Sequence, residues 1–109
     1  MTASAPVTFI NVFEIARDDL EDFTAEWRRL GAVMAAAPGF RGARLHEAVS
    51  DETRFQLVNV AEWDSEQAWR DAAANPEMRD AVARAAEGSV MRRAAHHPGL
   101  YRQTAAFEA

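Results

Sequence analysis

The chain has no cysteine. That excludes disulfides, thiolate metal sites and cysteine nucleophiles, and it fits a reducing cytosol, so a cytoplasmic location is expected. Lysine is absent too, so all 12 basic residues are arginine and Schiff-base chemistry is excluded. The arginines are scattered, only Arg28-Arg29 and Arg92-Arg93 being adjacent, and the net charge is −5. Nucleic-acid binding calls for a basic stripe and a high isoelectric point, so no nucleic-acid partner is expected. No apolar run approaches the roughly 18 residues of a membrane span, so no membrane association is expected either. Met1 to Pro6 carries neither a basic region nor a long apolar core, so no secretory leader is expected. Glycine-rich dinucleotide and phosphate-binding loops are missing. Of the three histidines, His96 and His97 are adjacent and point apart on an extended chain, and no 2-His-1-carboxylate set is evident.

What is present fits one domain spanning residues 1–109 with room for a real core. Val7 to Glu14 reads as a strand. Asp18 to Glu21 looks like a helix start, with Asp18 as N-cap and Glu21 three residues on. Leu20, Phe23, Trp27, Leu30 and Met34 follow at helical spacing, and Pro38-Gly39 ends the run. Phe40 to Val49 and Arg54 to Trp63 read as two strands joined by a turn at Ser50 to Thr53. Asp64 to Gln67 opens a second helix with a second capping pattern. Asn75-Pro76 breaks or restarts it, and Gly88 stops it. Met91 to His97 has no clear pattern. Pro98-Gly99 reads as a turn and Leu100 to Phe107 as a fourth strand. The order β-α-β-β-α-β is the ferredoxin-like α+β arrangement, which sets the first and third strands side by side.

Strand parity marks a candidate site. Phe55, Leu57, Asn59, Ala61 and Trp63 share one face of the third strand, and Val7, Phe9, Asn11 and Phe13 share one face of the first. Each greasy row carries one amide. A buried amide costs a few kcal/mol unless it completes a network or meets a ligand. An apolar pocket with a few hydrogen-bonding groups is the usual make-up of a small-molecule site. The opposite faces are apolar as well (Ile10 and Val12, Val58 and Val60), and two helices cover only one side. An uncovered apolar sheet face predicts a homodimer, face against face.

These residues resemble the antibiotic biosynthesis monooxygenase family, a group of dimeric α+β barrels. The resemblance rests on Phe23 and Trp27, Pro38-Gly39-Phe40, Leu45-His46, Phe55 with Val58 to Ser65, and His97-Pro98-Gly99-Leu100-Tyr101. Val58 to Ser65 is the strongest stretch. The chain is most similar to the branch that oxidises anthrones to quinones in aromatic polyketide pathways. Members of that branch use no flavin, haem or metal, so the resemblance implies a cofactor-free enzyme with O2 as co-substrate and an aromatic polyketide as substrate. It also implies catalytic roles for Asn59 and Trp63.

On that reading the protein holds a flat tricyclic substrate, favours its deprotonated form and keeps water from the intermediates. Phe9, Phe13, Trp27, Phe55 and Trp63 could supply flat walls, with Trp69 on the second helix. Asn59 and Asn11 could donate hydrogen bonds to enolate oxygens, and Trp63 its indole N–H to substrate or peroxide. His46 is the best-placed general base by residue type. Arg84 could add a cation. Rival readings are a polyketide cyclase on a similar barrel and a small-molecule-binding dimer without activity. Haem-degrading members of the fold share an Asn on the first strand and a Trp on the third, but need an axial His on the second helix. No histidine lies between Glu47 and Ala95.

Overall fold

The computed structural model describes residues 5–109, apart from the Ser89 side chain. The expectation about the opening of the chain therefore lies largely outside the described residues. Four strands form one antiparallel sheet: β1 (Val7–Glu14), β2 (Phe40–Glu47), β3 (Leu57–Trp63) and β4 (Ala95–Tyr101). Their spatial order is β2-β3-β1-β4, so β1 and β3 lie side by side at the centre, as the sequence predicts. A long helix, α1 (Leu20–Met34), links β1 to β2. Three shorter helices, α2 (Glu66–Ala74), α3 (Pro76–Glu87) and α4 (Ser89–Arg93), link β3 to β4. The result is the ferredoxin-like α+β fold with its second helix divided.

The divisions follow from local chemistry. Ser65 caps α2, its hydroxyl accepting from the Ala68 N–H at 3.0 Å. Asn75 ends α2 and caps α3, its side-chain oxygen accepting from the Glu77 N–H at 2.8 Å with Pro76 as first helical residue. Gly39, at φ +86°, lets α2 pack down on the turn after α1. A Cβ there would come within 2.5 Å of the Ala68 Cβ. Gly42, at φ +147°, sits at the register shift where β2 bulges.

Several boundaries differ from expectation. Asp18 does not cap α1: a 3-10 turn spans Arg17–Asp19, and no side chain caps the helix. The Asp19 carboxylate instead receives two hydrogen bonds from Arg93, at 2.8 and 3.0 Å. Asp64 does not cap α2 but pairs with Arg41 at 2.9 Å. The strand expected over Leu100 to Phe107 runs over Ala95–Tyr101, and Arg102 to Ala109 is irregular and exposed. Pro98 lies inside β4. A proline has no N–H to give the ladder, but β4 is an edge strand, where that omission is tolerated.

All four helices lie on one face of the sheet. Beneath them the core divides into two clusters. One gathers Phe13, Leu57, Leu20, Phe23 and Val90. The other gathers Val7, Ala61, Trp63 and Ala72. Between them, in the central row, Asn11 faces Asn59. The other sheet face presents Ile10, Val12, Val58 and Val60, half-buried, with no helix over them. No helix among the described residues is long and apolar enough to cross a membrane.

Candidate functional site

The gap between the two core clusters is a cavity of about 740 Å³. That is ample for a flat polycyclic molecule. Its floor is the central pair of strands. Asn11 and Asn59 are register partners and both line the cavity. The Trp27 indole N–H donates to Asn59 Oδ1 at 3.2 Å. The His97 backbone N–H donates to Asn11 Oδ1 at 3.1 Å. An indole and a backbone amide can only donate, so these partners fix which end of each carboxamide is oxygen. Both oxygens are therefore committed. The two Nδ2 groups have no protein acceptor among the described hydrogen bonds, so these neighbouring residues of the cavity lining each keep a donor for a ligand.

The walls are aromatic. Phe9 and Trp69 stack at 5.3 Å between ring centroids. Phe13 meets Phe23 edge-on at 4.7 Å. Trp63 is fully buried beside Phe40, 5.2 Å away in an edge-to-face contact. Its Nε1 is a buried donor with no partner among the described residues. An unsatisfied buried donor costs about 1–3 kcal/mol. Trp27 does more than the flat wall expected of it, because its indole orients Asn59. Thus the structure brings Phe9, Asn11, Phe13, Trp27, Asn59, Trp63 and Trp69 together around one chamber.

Three expected site residues lie elsewhere. His46 is exposed and pairs with Val58 in register, on the sheet face away from the cavity. Phe55 precedes β3, so strand parity does not reach it. Gln56 turns inward, its amide donating to the Ser50 and Thr53 carbonyls at 3.0 and 2.5 Å. That leaves Phe55 against His97 and under the Arg54 guanidinium. Arg84 is on the wrong side of α3. Met78, Arg79, Val82, Ala83, Ala85 and Ala86 line the cavity. At 100° per residue these cover one arc, and position 84 falls opposite its middle.

Arg79, Arg92 and His96 also reach the cavity, and sequence reading missed all three. The helical period from Met78 could have found Arg79. Arg92 and His96 depend on where α4 and β4 begin, which no local signal marks. No carboxylate lines the cavity among the described residues. Beside it, Arg93 anchors α4 to the start of α1. Its hydrogen bonds hold the Asp19 carboxyl below the usual carboxylate range, and Asp19 in return raises the Arg93 guanidinium. No cluster of three metal-ligating side chains occurs among the described residues.

A family model described as antibiotic biosynthesis monooxygenase matches residues 6–84. The chain belongs to this family. Both carboxamides, Trp27, Trp63 and Trp69 fall within the matched stretch; α4 and β4, with Arg92 and His96, fall beyond it. Among solved structures, a candidate monooxygenase from Shewanella loihica PV-4 is 35% identical, with a TM-score of 0.79 over 96% of this chain and 100% of that one. SnoaB, a cofactor-independent oxygenase from Streptomyces nogalater, shares the fold at 24% identity and TM-score 0.76, over 97% of this chain and all of its own. Rv0793 from Mycobacterium tuberculosis shares it at 19% identity and TM-score 0.68, over 95% and 100% of the two chains. No curated protein matches this monooxygenase-family chain.

Proposed function

We propose that this monooxygenase-family protein is a cofactor-independent enzyme oxidising an anthrone-type aromatic polyketide to a quinone with O2. The observation that supports the reading is the pair of cavity-lining carboxamides whose oxygens are tied back, at Trp27 and the His97 backbone, which leaves their N–H donors for a ligand of the aromatic chamber. The ketone oxygen of a flat tricyclic substrate lies against Asn59 and Asn11. Loss of a proton from the methylene across the central ring puts negative charge on that oxygen. Donors already in place stabilise it without reorganising, which is the largest single term in many enzymes. The enolate passes an electron to O2, and the two radicals join as a peroxide at the former methylene carbon. Once protonated, it loses water and leaves the second carbonyl. One oxygen atom enters the quinone, the other leaves as water, and the substrate supplies every electron.

Phe9, Phe13, Trp27 and Trp69 hold the rings, and Trp63, fully buried against Phe40, backs the wall behind them. Arg79 and Arg92 leave the cavity hospitable to an anion. The similarity in fold to SnoaB supports the cofactor-independent reading.

The working unit on this reading is a cytoplasmic homodimer of one-domain chains (residues 1–109), joined through the open sheet faces. The chain is a slab of 48 × 40 × 18 Å. Its accessible surface is 7597 Å². A folded monomer of this mass exposes about 6,000 Å².

The test is oxygen consumption by metal-free protein given an anthrone, in air and under nitrogen. Turnover should need O2 and no added cofactor, and Asn59→Ala should lower kcat about 10²–10³-fold. No oxygen uptake and no consumption of the anthrone would favour a cyclase acting on an open-chain polyketide instead, since the same donors would serve it. Wild-type rates from Asn59→Ala would remove the carboxamide from the mechanism.

A further inference from the structure

The oxidation begins with a proton leaving carbon, and the residues assigned so far do not receive it. Asn11 and Asn59 are donors. The aromatic rings do not take protons, and the Arg79 and Arg92 guanidiniums are already protonated. Among the described side chains lining the cavity, His96 alone has a basic ring nitrogen that can accept a proton. We propose that His96 is the general base of this site, which rests on the anthrone-oxidation reading above.

The hydrogen bonding of the ring sets its tautomer. His96 Nε2 lies 3.2 Å from the Met91 carbonyl oxygen. A carbonyl only accepts, so Nε2 carries the hydrogen and the neutral ring has its lone pair on Nδ1. The ring is steadied edge-on against Phe13, with centroids 5.1 Å apart. The Met91 carbonyl is itself placed by α4, which the Arg93–Asp19 ion pair ties to the start of α1.

The register sets the distance to the donors. Pro98 is opposite Asn11 and His96 is opposite Phe13. His96 is thus two residues along from the carboxamide row, about 7 Å at strand rise. A ring system whose carbonyl oxygen rests on the carboxamides extends toward His96 on its far side, where the acidic methylene lies. In the step, the C–H bond breaks and its proton goes to Nδ1. The electron pair moves through the central ring to the carbonyl oxygen, held by the carboxamide N–H groups. The proton on the imidazolium is then available to the peroxide.

Hydrogen–deuterium exchange at the methylene of unsubstituted anthrone, followed by NMR in D2O under nitrogen, reads this step apart from oxidation. Oxygen uptake in air is measured in parallel, for wild type and His96→Gln. Glutamine keeps a donor for the Met91 carbonyl, and near-identical circular dichroism would establish that the variant folds. If it does not fold, added imidazole speeding exchange by a His96→Gly variant gives the same information. Wild type should accelerate exchange, and His96→Gln should lose it by about a hundredfold or more, together with oxidation. Exchange and oxidation at wild-type rates in the folded variant would overturn His96 while leaving the oxygenase reading intact. Wild-type exchange that depends on His96 without oxygen uptake would support the base and remove the oxygenase reading. Neither exchange nor uptake by wild type would overturn both.

Discussion

Replacing Trp27 with phenylalanine removes one hydrogen atom that matters, the indole N–H that holds Asn59 Oδ1 at 3.2 Å. The neighbouring wall stays aromatic. A neutral hydrogen bond of this kind is worth about 0.5–1.5 kcal/mol net. Asn59 is only half-buried, so water can replace the lost donor, and about 1 kcal/mol is the appropriate figure. That is enough, in the wild type, to hold the carboxamide with its Nδ2 inward in most molecules. Without it the amide turns freely and presents oxygen to the enolate much of the time. Trp27→Phe should therefore lower kcat/KM by about twofold, well short of the loss expected for Asn59→Ala. The decisive assay is the double-mutant cycle on oxygen consumption. In an Asn59→Ala background Trp27→Phe should cost little more, giving a coupling of about 0.4 kcal/mol. Melting of all four proteins separates the packing loss from the orienting role. Additive effects in the cycle, or an unchanged kcat/KM in Trp27→Phe, would refute the orienting role of the indole.

Gly39→Ala should destabilise the fold by about 2 kcal/mol or more. It combines a positive φ with a Cβ 2.5 Å from that of Ala68, and a fall in melting temperature of several degrees would register it. Val60→Arg places a charge in the middle of the open sheet face and should convert a dimer to monomer by analytical ultracentrifugation; a wild type that sediments as a stable monomer would defeat that expectation. The Asp19–Arg93 tie predicts a pH dependence. Because Asp19 has its pKa lowered in the folded state, its contribution to stability is present above the unfolded carboxylate pKa. It fades as pH falls through the lower folded value. The melting-temperature gap between wild type and Asp19→Asn should thus close on acidification, and a gap that widened would contradict the ion pair.

Period-two alternation made the centre of the sheet readable. Asn11 and Asn59 sit where parity and strand order place them, because a buried central strand leaves no slack in register. The α2–α3 break was equally plain, since Asn75 and Pro76 each act within a few residues of themselves. The edge strand was not legible. Pro98-Gly99 has the local chemistry of a turn, and only the place of β4 at the border of the sheet permits it to stay extended. That one shift hid His96, whose meaning comes from facing Phe13 rather than from its neighbours in sequence. The Trp27–Asn59 bond joins residues on different elements and leaves no trace in either segment. Arg84 was chosen by type, and the turn of α3 favours Arg79 instead.

The match to the family model stops within α3. Both carboxamides and the aromatic walls come before that point, while the five-residue α4 and the edge strand, which carry Arg92, His96 and the backbone N–H that holds Asn11, come after it. Catalytic identity in such a protein can therefore be exchanged like a cassette. Transplanting the final quarter between two relatives would keep the aromatic walls while changing the strand that orients Asn11 and the group, if any, that handles the proton. One scaffold could thus diversify its chemistry without redesigning its grip on aromatic molecules.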